Sequence, residues 1–85
     1  MKEFNYTIRD EIGIHARPAG LLIKKAKEFE SEITMECKGK TAAATKLIAI
    51  MSLGAKKGDN VRVRIEGADE ERAAKEILAF FEENL

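Results

Sequence analysis

Alternation of apolar and polar residues is the feature that most constrains the fold of this chain. The pattern is clearest in residues 61–65, where two valines and an isoleucine are separated by arginines. Successive side chains of a strand point to opposite faces, so this period of two predicts a strand that buries one face. Residues 4–8 and 33–37 show the same alternation, and residues 41–44 predict a shorter strand of weaker propensity.

Three other segments have helical periodicity. A short helix is expected over residues 46–53, capped by Thr45 and ended by Gly54, and Asp69 is expected to cap the last helix. The order strand, helix, strand, strand, helix, strand, helix predicts an α+β fold with the helices on one face of an antiparallel sheet. The apolar stripes of the two longer helices are Ala19, Leu22, Ile23, Ala26 and Phe29, and Ala74, Ile77, Leu78, Phe81 and Leu85.

Length and charge exclude several classes of protein. A chain of 85 residues is expected to form one domain, residues 1–85. Fifteen basic residues balance fifteen acidic ones, so no general attraction to nucleic acid or to an anionic membrane is expected. No apolar run is long enough for membrane insertion, and one cysteine with one histidine is too few for a structural zinc site. We therefore expect a cytoplasmic protein with no metal and no cofactor.

The only histidine and the only proline lie in one stretch, Gly13-Ile14-His15-Ala16-Arg17-Pro18-Ala19-Gly20. Gly13 permits a sharp turn, His15 falls at the N-cap of the following helix, and Pro18 lies within its first turn. Free N–H groups at a helix N-terminus suit an anion such as phosphate, and the guanidinium of Arg17 matches phosphate geometry. The combination indicates a histidine that carries phosphate. A lone histidine before a helix is, however, commonly a capping or surface residue, and spacing alone leaves both interpretations open.

The sequence Gly-Ile-His-Ala-Arg-Pro-Ala resembles the active-site signature of HPr, the family of histidine-containing phosphocarrier proteins of the bacterial sugar phosphotransferase system. The length and the later Met-Ser-Leu-Gly sequence at residues 51–54 extend the resemblance over the whole chain. It implies an open-faced β-sandwich of four antiparallel strands with three helices on one face. It also implies that Nδ1 of His15 accepts a phosphoryl group from enzyme I and passes it to IIA domains of sugar permeases. The protein would then be a carrier rather than an enzyme.

The resemblance also implies roles for residues around the histidine. Arg17 and the main-chain N–H groups of Ala16 and Arg17 would hold the phosphate oxygens. From the residues alone, the lysines of the first helix favour a solvated helix face. In the family, the surface that docks phosphotransfer partners includes positions on this helix that correspond to Gly20, Lys24 and Lys27.

The short helix has more apolar residues than one narrow buried stripe can hold, which leaves it either in the core or partly exposed to a partner. Periodicity alone favours the core. The resemblance instead implies that Ile50 and Leu53 are buried and that three residues form an exposed partner surface. These three are Leu47, Ile48 and Met51.

Two positions depart from the family pattern. Lys46 stands where many Gram-positive relatives have a regulatory serine, so control by phosphorylation at that position is not expected. Thr45 and Ser52 carry hydroxyl groups nearby, and capping is the favoured role for Thr45. Ile12 replaces a small polar residue and can donate no hydrogen bond to phosphate.

Two classes of function remain open. The first is a monomeric phosphocarrier of the sugar phosphotransferase system. The second is a regulatory binding module with the HPr fold, or a nitrogen-linked relay paralogue, whose phosphorylation state tunes partner proteins. His15 together with Arg17 favours the first class.

Overall fold

The computed structural model describes residues 1–85 and contains four strands and three helices. The four strands form one antiparallel sheet, and the three helices cover one of its faces, which confirms the expected open-faced α+β fold. None of these helices combines the length and the apolar character that crossing a bilayer requires. In chain order the elements are β1 (Lys2–Thr7), α1 (Ala16–Ala26), β2 (Glu32–Cys37), β3 (Lys40–Ala43), α2 (Leu47–Ser52), β4 (Asn60–Glu66) and α3 (Glu70–Asn84).

The strand order is β1-β4-β2-β3, which puts the strand with the clearest alternation inside the sheet. Val63 of β4 lies opposite Phe4 of β1 on one side and Met35 of β2 on the other. The two valines and the isoleucine of β4 are fully buried, whereas Arg62 and Arg64 point away from the helices and pair with glutamates of neighbouring strands. The period of two therefore marks the buried face correctly.

The last helix, α3, covers the sheet with a stripe that begins one residue earlier than predicted. Ile77 and Phe81 are fully buried as expected, but Ala74 and Leu78 are only partly buried. Ala73 is fully buried in their place. The aromatic rings of β1 pack edge-on against Phe81 at centroid distances of 5.7 and 5.5 Å. This tertiary contact fixes the rotation of the helix, which periodicity alone leaves free within one residue.

Two predicted helix caps are corrected by the structure. Lys46, not Thr45, is the N-cap residue of α2, and its side chain makes no capping hydrogen bond. Asp69 is the N-cap residue of α3 as predicted, but its carboxylate does not cap the helix. That carboxylate instead accepts hydrogen bonds from the main-chain N–H groups of Glu30 and Ser31, each at 2.9 Å, and from the Ser31 hydroxyl. Asp69 thereby links the loop after α1 to the start of α3.

Replacing Asp69 with asparagine is expected to lower the urea midpoint of unfolding at neutral pH. The hydrogen bond from the Ser31 hydroxyl, followed by that from the Glu30 N–H, lowers the pKa of Asp69 below its ordinary value of 3.8. A lowered folded-state pKa stabilises the fold above the unfolded pKa, and this contribution is lost as the pH falls through the folded value. The difference between the two proteins should therefore be full at pH 7 and shrink below about pH 4.

Urea unfolding followed by circular dichroism at several pH values measures this difference. Glu66→Gln, which neutralises an exposed carboxylate at the end of β4, is the matched control. An Asp69→Asn difference of the same size at every pH would contradict the assigned role of the carboxylate.

Candidate functional site

Main-chain hydrogen bonds at Gly13 and Ile14 hold the loop that carries the histidine. The N–H of Gly13 donates to the carbonyl of Asp10 at 3.0 Å, and the N–H of Ile14 donates to the carbonyl of Ala55 at 3.0 Å. Gly13 has a φ of 79°, a conformation that glycine adopts readily. A Cβ there would collide with the Ala55 carbonyl oxygen and lie 2.7 Å from the Cα of Lys56. Only glycine therefore permits this close approach.

His15 is the N-cap residue of α1, as its position before Pro18 predicted. Its backbone is extended, with φ −125° and ψ −175°, and its carbonyl accepts the first helical hydrogen bond from the N–H of Ala19 at 3.0 Å. The imidazole forms no capping bond and is 38% exposed. The ring is thus available to a partner while the backbone beneath it is fixed.

The first turn of α1 offers unpaired donors beside the imidazole. The main-chain N–H groups of Ala16 and Arg17 donate to no acceptor within the protein. The first turn contains no acidic residue that would neutralise the positive end of the helix dipole. Arg17 is exposed and lines the same open cleft as His15, about 250 Å³ in volume. The start of α1 thus offers two N–H donors, a guanidinium and a nucleophilic ring, groups that suit a phosphate-like anion.

The cleft also contains residues that the sequence reasoning missed. Asp10 lines the cleft, with its Oδ2 3.8 Å from Nε2 of His15. Glu83 and Asn84 lie in the last turn of α3 and also line the cleft. Because they are far from His15 in the sequence, no local pattern predicted that they would lie near it. Asp10 did have a signal, because aspartate three residues before a glycine is typical of a β-turn. That turn places Asp10 next to the histidine.

The predicted partner residues of α1 are all exposed. Gly20 faces solvent, and an added Cβ there would meet nothing within 4 Å. Lys24 and Lys27 are exposed and form no ion pair. Lys25 differs, because its Nζ lies 2.8 Å from the carboxylate of Glu76 on α3, and this hydrogen bond raises the pKa of Lys25. Lys25 therefore joins α1 to α3, whereas Lys24 and Lys27 are not engaged in ion pairs.

The short helix α2 divides its apolar residues between core and surface as the family resemblance implied. Ile50 and Leu53 are buried at 0% and 2% exposure. Leu47, Ile48 and Met51 are exposed at 40%, 75% and 41%. We call these three residues the α2 patch.

The two positions that depart from the family pattern are also exposed. Ile12 is 67% exposed and makes no polar contact, and Lys46 faces solvent at the start of α2. Thr45 is exposed, and the hydroxyl of Ser52 donates to the carbonyl of Ile48 at 2.7 Å within the helix. Leu21, which was not among the predicted residues, is exposed at 45% and lines the histidine cleft.

Comparison with known proteins agrees with this geometry. The family model described as the PTS HPr component phosphorylation site matches residues 2–83. The phosphocarrier protein HPr of Mycoplasma genitalium is 41% identical over 85 residues, which cover 99% of this chain and 97% of that protein.

Two solved structures from Thermoanaerobacter tengcongensis are similar. HPr-C-His superposes with a TM-score of 0.90 at 40% identity, over 96% of this chain and 92% of that one. The structure described as an HPr dimer gives a TM-score of 0.76 at 40% identity, over 98% of this chain and 95% of that one.

Fold, cleft and matched phosphorylation-site model together define the class of protein, a histidine-containing phosphocarrier. More particularly, the chain belongs to the HPr family of the phosphotransferase system.

Replacing Gly13 with alanine is expected to destabilise the protein by more than about 2 kcal/mol, because a Cβ is strained at this φ and collides with the facing main chain. Urea unfolding monitored by circular dichroism measures the loss. Gly20→Ala is the control, since Gly20 is helical with open space around it and alanine there should stabilise by up to about 1 kcal/mol. Equal effects of the two substitutions would contradict the close approach at Gly13.

Proposed function

We propose that the chain accepts a phosphoryl group from phosphorylated enzyme I on Nδ1 of His15 and transfers it to IIA domains of sugar permeases. The observation that carries the proposal is the half-exposed imidazole beside two main-chain N–H groups that have no acceptor in the protein. Membership of the HPr family supplies the class of reaction.

Transfer would depend on positioning and on charge. The lone pair of Nδ1 attacks phosphorus, and the bond between phosphorus and the donor atom breaks with its electron pair leaving on the donor. The N–H groups of Ala16 and Arg17 and the Arg17 guanidinium would bind the three phosphoryl oxygens. The two N–H donors are already in place before the reaction, because main-chain contacts at Gly13 and Ile14 fix the segment that leads into α1.

The exposure of the imidazole suits a carrier that must release its phosphoryl group. The imidazole is exposed on one side, so the donor and the acceptor protein can each reach it in turn. The cleft beside His15 is open to solvent. We therefore assign the chain as a covalently phosphorylated intermediate of a relay, not as a self-sufficient enzyme.

Partners would dock on the surface around the cleft. Lys24 and Lys27 supply positive charge without internal counterions, and the α2 patch supplies exposed apolar area. Gly20 leaves room for a partner to approach α1 closely. A mixed surface of this kind suits a protein with acidic groups around an apolar centre.

We further infer that residues 1–85 act as one HPr domain, as a monomer in the cytoplasm. One cluster of buried apolar residues includes side chains from every helix and every strand, which supports a single unit. A dimeric HPr structure is known from Thermoanaerobacter tengcongensis. Light scattering measures the oligomeric state of this chain, and the mass of one chain is the expected result.

Incubation with enzyme I and phosphoenolpyruvate is expected to add one phosphoryl group to the protein. Intact mass spectrometry should show this addition, and acid should remove it, since phosphohistidine is acid-labile. His15→Ala should show no addition, while Ser52→Ala, which removes an exposed hydroxyl, should be phosphorylated like the wild type. Addition to His15→Ala would overturn the assignment of the acceptor, and no addition to the wild type would favour a regulatory binding module.

Replacing Lys46 with glutamate is expected to weaken binding to a partner with an acidic surface, roughly threefold to tenfold at low salt. Helix α2 should tolerate the change, because a negative charge is favourable at a helix N-terminus. Isothermal titration calorimetry with enzyme I measures the affinity. Lys75→Glu reverses a charge on the exposed face of α3 and is the control. Unchanged affinity for Lys46→Glu would contradict a docking role for this residue.

A further inference from the structure

An acidic side chain lies beside the imidazole at the nitrogen that does not receive phosphate in the proposed reaction. Oδ2 of Asp10 is 3.8 Å from Nε2 of His15, and the two side chains are 36% and 38% exposed. This distance is longer than a direct hydrogen bond, but a small rotation of either side chain would bring the two atoms into hydrogen-bonding range. His15 has no other acidic group within ion-pair distance.

Main-chain contacts hold Asp10 in this place. Its N–H donates to the main-chain oxygen of Leu85 at 2.7 Å, and its carbonyl accepts from the N–H of Gly13 at 3.0 Å. The preceding residue, Arg9, is also fixed, because its guanidinium donates to the Tyr6 hydroxyl and to the carbonyl of Glu82, both at 2.9 Å. Asp10 is therefore anchored on both sides, and the turn that it begins returns the chain to the histidine.

We propose that Asp10 is a positioning residue for His15, a role that rests on the proposed phosphocarrier function. Its carboxylate accepts a hydrogen bond from Nε2–H of His15 and so selects the tautomer in which the lone pair is on Nδ1. In the proposed reaction that lone pair attacks the phosphoryl group, whose oxygens the helix N-terminus and Arg17 would bind. The structure places a negative group at Nε2, and Arg17 lines the same cleft as the ring.

The same carboxylate would stabilise the product of the transfer. When Nδ1 uses its lone pair to form the bond to phosphorus, the proton on Nε2 stays in place and the ring becomes positively charged. The phosphoryl donor leaves with the electron pair of its broken bond, so no further proton or electron is needed. Asp10 offsets the new charge on the ring. Glu83 is the other carboxylate in the cleft, but it is not within ion-pair distance of the imidazole.

Three variants test the proposal. Asp10→Asn keeps the size of the side chain and removes its charge, and Asp10→Glu restores the charge on a longer stem. Glu11→Gln neutralises the adjacent exposed carboxylate, which lines no part of the cleft, and is the matched control. Circular dichroism should show that all three variants fold, because the contacts that anchor residue 10 are made by its main chain.

The first measurement does not involve phosphorylation. Long-range ¹H–¹⁵N spectra at about pH 8.5, where an imidazole is neutral, report the fraction of each ring tautomer. We expect Asp10→Asn to raise the Nδ1–H fraction roughly twofold, Asp10→Glu to restore the wild-type value at least in part, and Glu11→Gln to leave it unchanged.

The second measurement is the rate of phosphoryl transfer from enzyme I, where Asp10→Asn should be about threefold slower and Glu11→Gln should equal the wild type. Wild-type tautomer fractions and rates for Asp10→Asn would overturn the proposal, as would equal losses for Asp10→Asn and Glu11→Gln. If enzyme I phosphorylates none of the proteins, the proposed function fails, and the tautomer fractions still decide whether Asp10 orients the ring.

Discussion

Gly13 packs so closely against the main chain of residues 55 and 56 that no side chain could lie between them. This approach lets the N–H of Ile14 reach the carbonyl of Ala55, and it joins the histidine loop to the segment that leads into β4. The imidazole of His15 makes no hydrogen bond that would hold the loop by itself. The direction of the ring and of the first N–H groups of α1 therefore depends on a contact between main-chain atoms.

The site built on this contact is asymmetric, and its asymmetry suits reversible transfer. Unpaired N–H groups and Arg17 lie at the start of α1, whereas Asp10 lies at Nε2. Binding of phosphate oxygens by main-chain donors requires no rearrangement of side chains during transfer. The ring is partly exposed, and Lys24, Lys27 and the α2 patch are exposed on α1 and α2. In the proposed relay, the exposed ring would meet a donor and an acceptor protein in succession.

Local pattern predicted most of the fold, since alternation marked three of the four strands and the Gly-His-Pro arrangement marked the start of α1. The errors occurred where tertiary contacts decide. Ala44 is fully buried after β3, and Lys46, not Thr45, is the N-cap residue of α2. The Asp69 carboxylate accepts hydrogen bonds from the loop after α1 rather than from its own helix. The exposure of the α2 patch came from the family resemblance, because periodicity alone favoured the core. Glu83 could not be placed near the histidine from sequence, since the packing of α3 brings it there.

In the proposed reaction, Nδ1 of His15 receives a phosphoryl group whose oxygens are bound by the N–H groups of Ala16 and Arg17. The most direct test is a pair of ¹H–¹⁵N spectra of the labelled protein, covering amides and ring nitrogens, before and after phosphorylation by enzyme I. Phosphorus coupling at Nδ1 is expected, together with downfield shifts of the Ala16 and Arg17 amide protons that exceed those of all other residues. Phosphate on Nε2, or amide protons of Ala16 and Arg17 that do not move, would contradict this reaction.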